Sequence, residues 1–434
     1  MNTPIYDFVK GYKNKHTHRL HMPGHKGNSL LGFEEYDITE INGADSLYEA
    51  DGIIKQSEEN ASTIFGCNTF YSTEGSSQCI RAMLFLLKQS GAKKILAGRN
   101  AHKTFITAAA LLDFNVIWLY GNSSYLSCNI DKEELESQII KEQPDAVYIT
   151  SPDYLGNISD IKAISQICKR DNVKLVVDGA HGAYLKFLPN TLHPMDMGAD
   201  MCCTSAHKTL PCLTGGAYLH IKDEKLSSQA KNALSIFGST SPSYLILSSL
   251  DRANKYITDG YKEKLSDFIL KAEHFKKTLR AAGYTLYEDE PMKITLCTKA
   301  YGYTGIDFAQ ILRNKNIECE FADPDFTVLM LSIDTDLEYL GQVLFSVPKK
   351  GEIISFPPRF TKPEKVLSIR EAIMSDSEEI DIEDAEGRIL SQLNVGCPPA
   401  VPIAVCGERI DKNTIICFKY YGINKCCVIK GNEN

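Results

Sequence analysis

The chain has 434 residues, 43% hydrophobic, with a formal net charge of -8. That length supports a large core in two or three domains. An acidic balance without a basic face gives no nucleic-acid footprint. The first residues, Met-Asn-Thr-Pro-Ile-Tyr-Asp, form no basic-then-apolar leader, and no apolar run is long enough to cross a bilayer. A cytoplasmic chain with no membrane partner is therefore expected.

The 14 cysteines should stay reduced in that compartment. None are spaced Cys-x-x-Cys, and adjacent pairs such as Cys202-Cys203 and Cys426-Cys427 suit the two sides of a strand. No metal site is expected from them. The acidic run Asp376–Asp384 reads as a solvated helix start or loop.

Residues 1–44 read as an arm, with few apolar residues and no sustained period. Its notable piece is His21-Met-Pro-Gly-His-Lys-Gly27, a metal loop, an anion loop or a plain basic turn. Residues 45–262 alternate strand and helix. Apolar runs at Lys94–Gly98, Val116–Tyr120, Ala146–Thr150, Lys174–Asp178 and Met201–Thr204 predict strands, with helices near 76–90, 102–113, 131–142 and 158–171. Short continuous β-rich runs between amphipathic helices predict a mostly parallel sheet covered on both faces. Ligands of such sheets bind beyond the carboxyl ends of the strands. A smaller α/β domain is expected over 263–348. It has helices near 264–282, 305–315 and 335–346, and strands at Lys293–Cys297, Ile317–Ala322 and Thr327–Ser332. A C-terminal segment over 349–434 carries a helical stretch (362–374) and the proline-rich Cys397–Arg409.

The polar residues of interest fall at strand ends. Ser72-Thr-Glu-Gly75-Ser76-Ser77-Gln78 opens a helix and offers backbone N–H groups to a phosphate, or is a plain serine cap. His102 follows a strand and can stack on a flat ring or start a helix. Asp178 ends a buried strand, where its charge is costly unless partnered; His181 follows it. Lys208 sits just past a strand end beside His207, Ser205 and Thr209. An amine held there can condense with an aldehyde cofactor. In order, these pieces supply the contacts that pyridoxal phosphate needs.

The sequence resembles the Orn/Lys/Arg decarboxylase family, the fold-type-I pyridoxal-phosphate decarboxylases of bacterial type. The resemblance is carried by His21-Met-Pro-Gly-His-Lys-Gly, Gly75-Ser-Ser, Arg99-Asn-Ala-His-Lys, Asp178-Gly-Ala-His and Ser205-Ala-His-Lys-Thr-Leu-Pro. Phe237-Gly-Ser-Thr-Ser-Pro-Ser-Tyr244, Tyr301-Gly-Tyr-Thr-Gly305 and Cys397-Pro-Pro-Ala-Val-Pro with Gly407-Glu408 extend it to nearly the whole chain. It implies the aspartate aminotransferase fold, with a large cofactor domain, a smaller α/β domain and the C-terminal segment. Lys208 would hold pyridoxal 5'-phosphate covalently, Asp178 its ring nitrogen, His102 its ring face, and His181 the region of its phenolic oxygen. Gly75, Ser76, Ser77, Ser205 and His207 would surround the phosphate. Ser239 and Thr240 would reach the site across a homodimer interface. Asp153 and Glu408 would approach the substrate, with Asp45 and Glu49 as further acids able to meet a basic side chain.

The resemblance implies decarboxylation of arginine, lysine or ornithine to an amine used in polyamine synthesis, with a lean to arginine. His207 or Lys208 would return a proton to Cα. The alternatives are an aminotransferase or other lyase, with Arg359 or Arg370 clamping the carboxylate, and a pyridoxal-binding protein without turnover. The sequence departs from the family in three places: Glu74 stands beside the phosphate loop, Gly179 where an acid is frequent, and Asp153 where a neutral residue is usual. The N-terminal wing of the large family members has no counterpart, so assemblies built through it are not implied.

Overall fold

The computed structural model describes residues 1–121, 129–287, 290–359, 361–392 and 402–431. The chain forms two compact units. The first comprises Met1–Ala92, Asp145–Ser151 and Asp160–Lys264. The second comprises Lys93–Pro144, Pro152–Ser159 and Leu265–Asn434. The strands up to residue 221 are β1 (Asn68–Ser72), β2 (Lys94–Gly98), β3 (Asn115–Leu119), β4 (Ala146–Thr150), β5 (Lys174–Asp178), β6 (Met201–Thr204) and β7 (Ala217–Ile221).

In the first unit β4, β5 and β6 run parallel, and β7 and then β1 follow antiparallel. Their β-branched, leucine and cysteine side chains are buried along nearly their whole length, as a sheet covered on both faces requires. Thr150 pairs with Asp178, and Asp178 with Cys203, so the strands end at one level. Three helices of this unit are α1 (Pro4–Asn14), α2 (Ile53–Phe65) and α3 (Gly75–Gln89), and α3 lies against β6 and β7.

The arm holds more structure than its composition announces. Pro4 starts α1 at a position where its missing N–H costs nothing, and Ile5 and Val9 bury one stripe against α2 and helix Tyr244–Thr258. The N–H groups of Ile5 and Tyr6 donate to Asp251 Oδ2, each at 3.0 Å. Ser57 Oγ donates to Oδ1 at 2.6 Å. Asp251 is fully buried, so a carboxylate from 246 residues away caps the first helix. In the motif after α1, Tyr12 meets His21 Nε2 at 2.8 Å and His25 Nε2 meets Asp37 at 3.1 Å.

Burial raises the Asp251 carboxyl to about 6, against the lowering effect of the Ser57, Tyr6 and Ile5 donors. A carboxyl raised in the folded chain contributes stability that is full below its ordinary 3.8 and lost as pH rises through about 6. Between those values the wild type should lose about 1.4 kcal/mol per pH unit relative to Asp251→Asn. Urea unfolding of both proteins across that range measures the difference, and a flat difference would contradict the burial argument.

In the second unit β2 and β3 pair in parallel beside α4 (Lys103–Leu111). Strands β8 (Lys293–Cys297), β9 (Phe321–Ala322) and β10 (Phe326–Met330) form an antiparallel sheet in the order β8-β10-β9. Strands β11 (Ser377–Asp381) and β12 (Lys425–Ile429) form a two-stranded ribbon. Leu155, Val328, Leu390, Ile410, Phe418 and Val428 share one buried cluster.

Three expectations change. Most of the acidic run, Ser377–Asp381, is strand β11 rather than a helix start or loop, and only its end, Ile382–Asp384, forms a helical turn; Lys425 and Arg388 pair with Glu379 and Glu378 and make its acids tolerable in a ribbon. The helix expected over 362–374 is only Ile369–Met374, because Val366 and Leu367 donate to Gly407 O and a Ser368–Glu371 capping box starts the helix later. The strand expected over 317–322 shrinks to Phe321–Ala322, since Ile317 N–H still closes onto Leu312 O at the end of the preceding helix. The prolines at 398, 399 and 402 straddle the described boundary; residues 393–401, including Cys397, lie outside the described residues.

The 12 described cysteines are all free thiols. Among the described residues, no helix is long and apolar enough to cross a membrane, and no group of three or more His, Cys, Asp or Glu could hold a metal.

Candidate active site

Strand β5 delivers Asp178 to the level where β4 and β6 also end. Its carboxylate is 2% exposed, a placement that costs free energy unless donors surround it. Tyr148 OH donates to Oδ2 at 3.2 Å, Ala180 N–H to Oδ1 at 3.1 Å, and the Cys203 thiol to Oδ1 at 3.6 Å. Gly179 follows where backbone and thiol crowd the position a side chain would take. A Cβ there would stand 3.1 Å from both Cys202 Sγ and Cys203 O, tighter than most Cβ contacts.

The chain then turns through Gly182, whose N–H donates to Gly179 O at 2.7 Å, and this sets His181 in the interior at 3% exposure. Lys208 Nζ donates to His181 Nε2 at 3.1 Å. The expected lysine and the histidine after Asp178 are thus brought together from the ends of β6 and β5. Lys208 stands on the short helix Ala206–Thr209, half-buried. Just before that helix, Ser205 is fully buried and its Oγ has no hydrogen-bond partner. The hydroxyl of Thr209 is likewise buried without a partner.

His207 donates from Nδ1 to Gly216 O at 2.9 Å. Burial lowers its pKa, partly offset by that carbonyl, so the ring is neutral at pH 7. Its Cε1 lies 3.9 Å from where a Cβ on Gly75 would be, which sets the ring beside the loop that opens α3. Gly75 has φ +70°, a left-handed conformation that glycine adopts without strain, and its N–H donates to Gly215 O at 2.7 Å. Ser76 and Ser77 occupy the first turn of α3. The N-cap residue, Glu74, makes no side-chain cap there, and an uncapped helix start is where an anion is favoured. The Glu74 carboxylate points outward, exposed, and accepts the Ser239 N–H at 2.5 Å. The loop's one acid is thereby turned to a backbone donor. Ser239 and Thr240 are exposed on this chain.

These residues fit a phosphorylated aldehyde cofactor. A partnerless buried hydroxyl, an uncapped helix start of 15 residues and a buried strand-end carboxylate are what its phosphate and ring nitrogen require.

The second unit holds the remaining expected residues. His102 is exposed and caps α4: its Nδ1 accepts the Thr104 N–H at 3.2 Å. Asp153 and Glu408, expected as substrate contacts, each hold hydrogen bonds within the fold. Asp153 is 3% exposed; its Oδ1 accepts Gly156 N–H and Asn157 N–H at 3.0 and 2.9 Å, and its Oδ2 accepts Asn157 Nδ2 at 2.7 Å. It braces its own loop. Glu408 is 3% exposed and forms a two-pronged pair with Arg99 Nη1 and Nη2, both at 2.7 Å, while the Val405 N–H donates to Oε2. Its charge is neutralised within the fold. Asp45, in the first unit, accepts the N–H groups of Gly52 and Ile54 at the start of α2. Arg370 donates to the Ala110 and Leu111 carbonyls at the end of α4, which leaves it a helix-end residue rather than a carboxylate clamp.

Tyr148, Cys203 and Arg99 escaped the sequence reading. For Tyr148 a signal existed: it stands two residues before the end of β4, in the side-chain phase that Asp178 has in β5. Arg99 was visible as the first residue of a motif but had no visible partner, because Glu408 lies 309 residues away.

Family models describe the chain as Orn/Lys/Arg decarboxylase, major domain, over residues 3–295 and as Orn/Lys/Arg decarboxylase, C-terminal domain, over 355–425. The uncharacterized protein YaaO of Bacillus subtilis (strain 168) is 29% identical, the match covering 96% of this chain and 93% of that one. Arginine decarboxylase of the same organism is 28% identical over 95% and 92%. Among solved structures, the Francisella novicida lysine decarboxylase LdcF superposes with a TM-score of 0.81 at 17% identity, covering 99% of this chain and 81% of that one. That likeness establishes the expected α/β fold. The matched models span the motifs that surround Lys208 and Asp178, and the chain belongs to the Orn/Lys/Arg decarboxylase family and is a carboxy-lyase.

Proposed function

We propose that the chain decarboxylates a basic amino acid, arginine before lysine or ornithine, to the corresponding amine and CO2 with pyridoxal 5'-phosphate. The observation that carries the reading is the Lys208–His181 contact beside the buried Asp178. Relatives named arginine decarboxylase over more than nine-tenths of the chain support the substrate class. The bound cofactor supplies a protonated ring that takes up the electron pair left when CO2 departs.

The chain's own residues do the rest. Lys208 Nζ would hold the cofactor through its aldehyde carbon. Asp178 would accept the ring N–H and keep that proton in place. His181 aims the lysine amine. Ser205 Oγ and the first turn of α3, with Gly75, Ser76 and Ser77, take the phosphate. Lys208 Nζ is the better proton donor to Cα, since the neutral His207 has its Nδ1–H committed to Gly216. The reading includes a homodimer in the cytoplasm, with Ser239 and Thr240 facing the partner's site and an amine product that feeds polyamine synthesis. The free thiols of the described cysteines are in keeping with that compartment.

The test is CO2 release by purified protein with pyridoxal phosphate from arginine, lysine and ornithine separately, with the protein's visible spectrum recorded alongside. One substrate should exceed the others by at least about tenfold, the scale on which a built pocket discriminates side-chain length. A cofactor band with no CO2 from any of the three, and with conversion of the bound cofactor to its amine form, would move the reaction to transamination.

A further inference from the structure

We propose that Tyr148 and Cys203 are positioning residues that fix the Asp178 carboxylate for the cofactor's ring nitrogen, with Asp178 Oδ2 as the atom that receives the ring N–H. The inference rests on the reading of Asp178 given above.

Strand register puts the three side chains together. Tyr148 pairs with Val176, two residues before Asp178, and Asp178 pairs with Cys203. Side chains alternate along a strand and align across a sheet, so all three share one face. The face is dry: Tyr148 is 1%, Asp178 2% and Cys203 0% exposed. Burial pushes the Tyr148 phenol and the Cys203 thiol well above their ordinary values, with the Asp178 charge adding to the rise. Both therefore keep their protons and act as donors at any working pH.

The two carboxylate oxygens are served unequally. Oδ1 takes Ala180 N–H and the Cys203 thiol, while Oδ2 takes Tyr148 OH. A carboxylate oxygen accepts about two donors, so Oδ2 is the one with room for a further N–H. A phenol on that same oxygen draws off part of its negative charge and stops the carboxylate from turning about its Cα–Cβ and Cβ–Cγ bonds. Tyr148 thus adjusts how strongly Asp178 binds the ring proton, without touching the cofactor. Cys203 contributes less, because a thiol is a weak donor and stands at 3.6 Å.

The experiment compares wild type with Tyr148→Phe, Cys203→Ala and Cys203→Ser, each reconstituted with pyridoxal phosphate. Tyr148→Phe keeps the ring and removes one hydroxyl. It should weaken cofactor binding and lower kcat, each about tenfold, leave KM within about twofold, and shift the pH at which the bound cofactor's visible band changes. Cys203→Ala should show the same signature at about threefold, and Cys203→Ser, which restores a donor, should return toward wild type. A merely structural role would lower the melting temperature without moving the spectral pH profile. Wild-type spectra, pH profile and kcat in Tyr148→Phe overturn the inference while the cofactor reading stands. If Tyr148→Phe does not fold, the two Cys203 variants decide it: equal, wild-type profiles in both overturn it. A wild-type protein that acquires no visible band, or whose band survives in Lys208→Ala, removes the cofactor reading and this inference with it.

Discussion

Lys208→Ala is expected to abolish CO2 release, with a fall on the order of 10³-fold or more, and to eliminate the visible band that pyridoxal phosphate acquires on binding. His181, which accepts from Lys208 Nζ at 3.1 Å, has no primary amine to offer an aldehyde. Lys208→Arg should be equally inactive, because a guanidinium does not lose its proton in a protein and cannot act as the nucleophile. Folding should survive both changes. Lys208 is half-buried on a four-residue helix outside the buried core, so a melting temperature within a few degrees of wild type is expected. Turnover retained in Lys208→Ala would transfer the covalent role to another amine and end the assignment.

Arg99→Ala should destabilise the second unit by about 3–5 kcal/mol. Arg99 is 1% and Glu408 3% exposed, and removing the guanidinium leaves a buried carboxylate facing a cavity. The remaining Val405 N–H is a single donor and does not replace two charged ones. The guanidinium also lies 5.2 Å from the Trp118 ring centroid and 5.4 Å from that of Tyr120, so the variant loses packing as well as charge. Arg99→Met combined with Glu408→Leu should recover most of the loss, since an apolar pair of similar volume is often as stable as a buried ion pair. Urea unfolding of the two single variants and the double variant measures this as a coupling energy. A single-variant cost below about 1 kcal/mol would show the pair to be dispensable.

Much was readable in the linear chain. Strands β2, β4, β5, β6 and β8 end where their apolar runs end, because a buried strand is written in consecutive side chains. The ordered series of loop glycine and serines, strand-end Asp178, His181 and Lys208 was likewise local, each motif being a few residues long. The opposite held for every group whose role depends on a partner. A carboxylate in a sequence is only a charge. Whether it caps a helix, as Asp251 does for α1, or neutralises an arginine, as Glu408 does, is settled by packing between segments hundreds of residues apart. The acidic run became a strand because β12 lay alongside to pair with it. The support of Asp178 by Tyr148 and Cys203 followed from strand register, a property of the sheet and not of any one strand. Local periodicity, set by covalent neighbours, belonged to the sequence by itself. Charge compensation, which requires two groups to leave water together, was decided only in the tertiary structure.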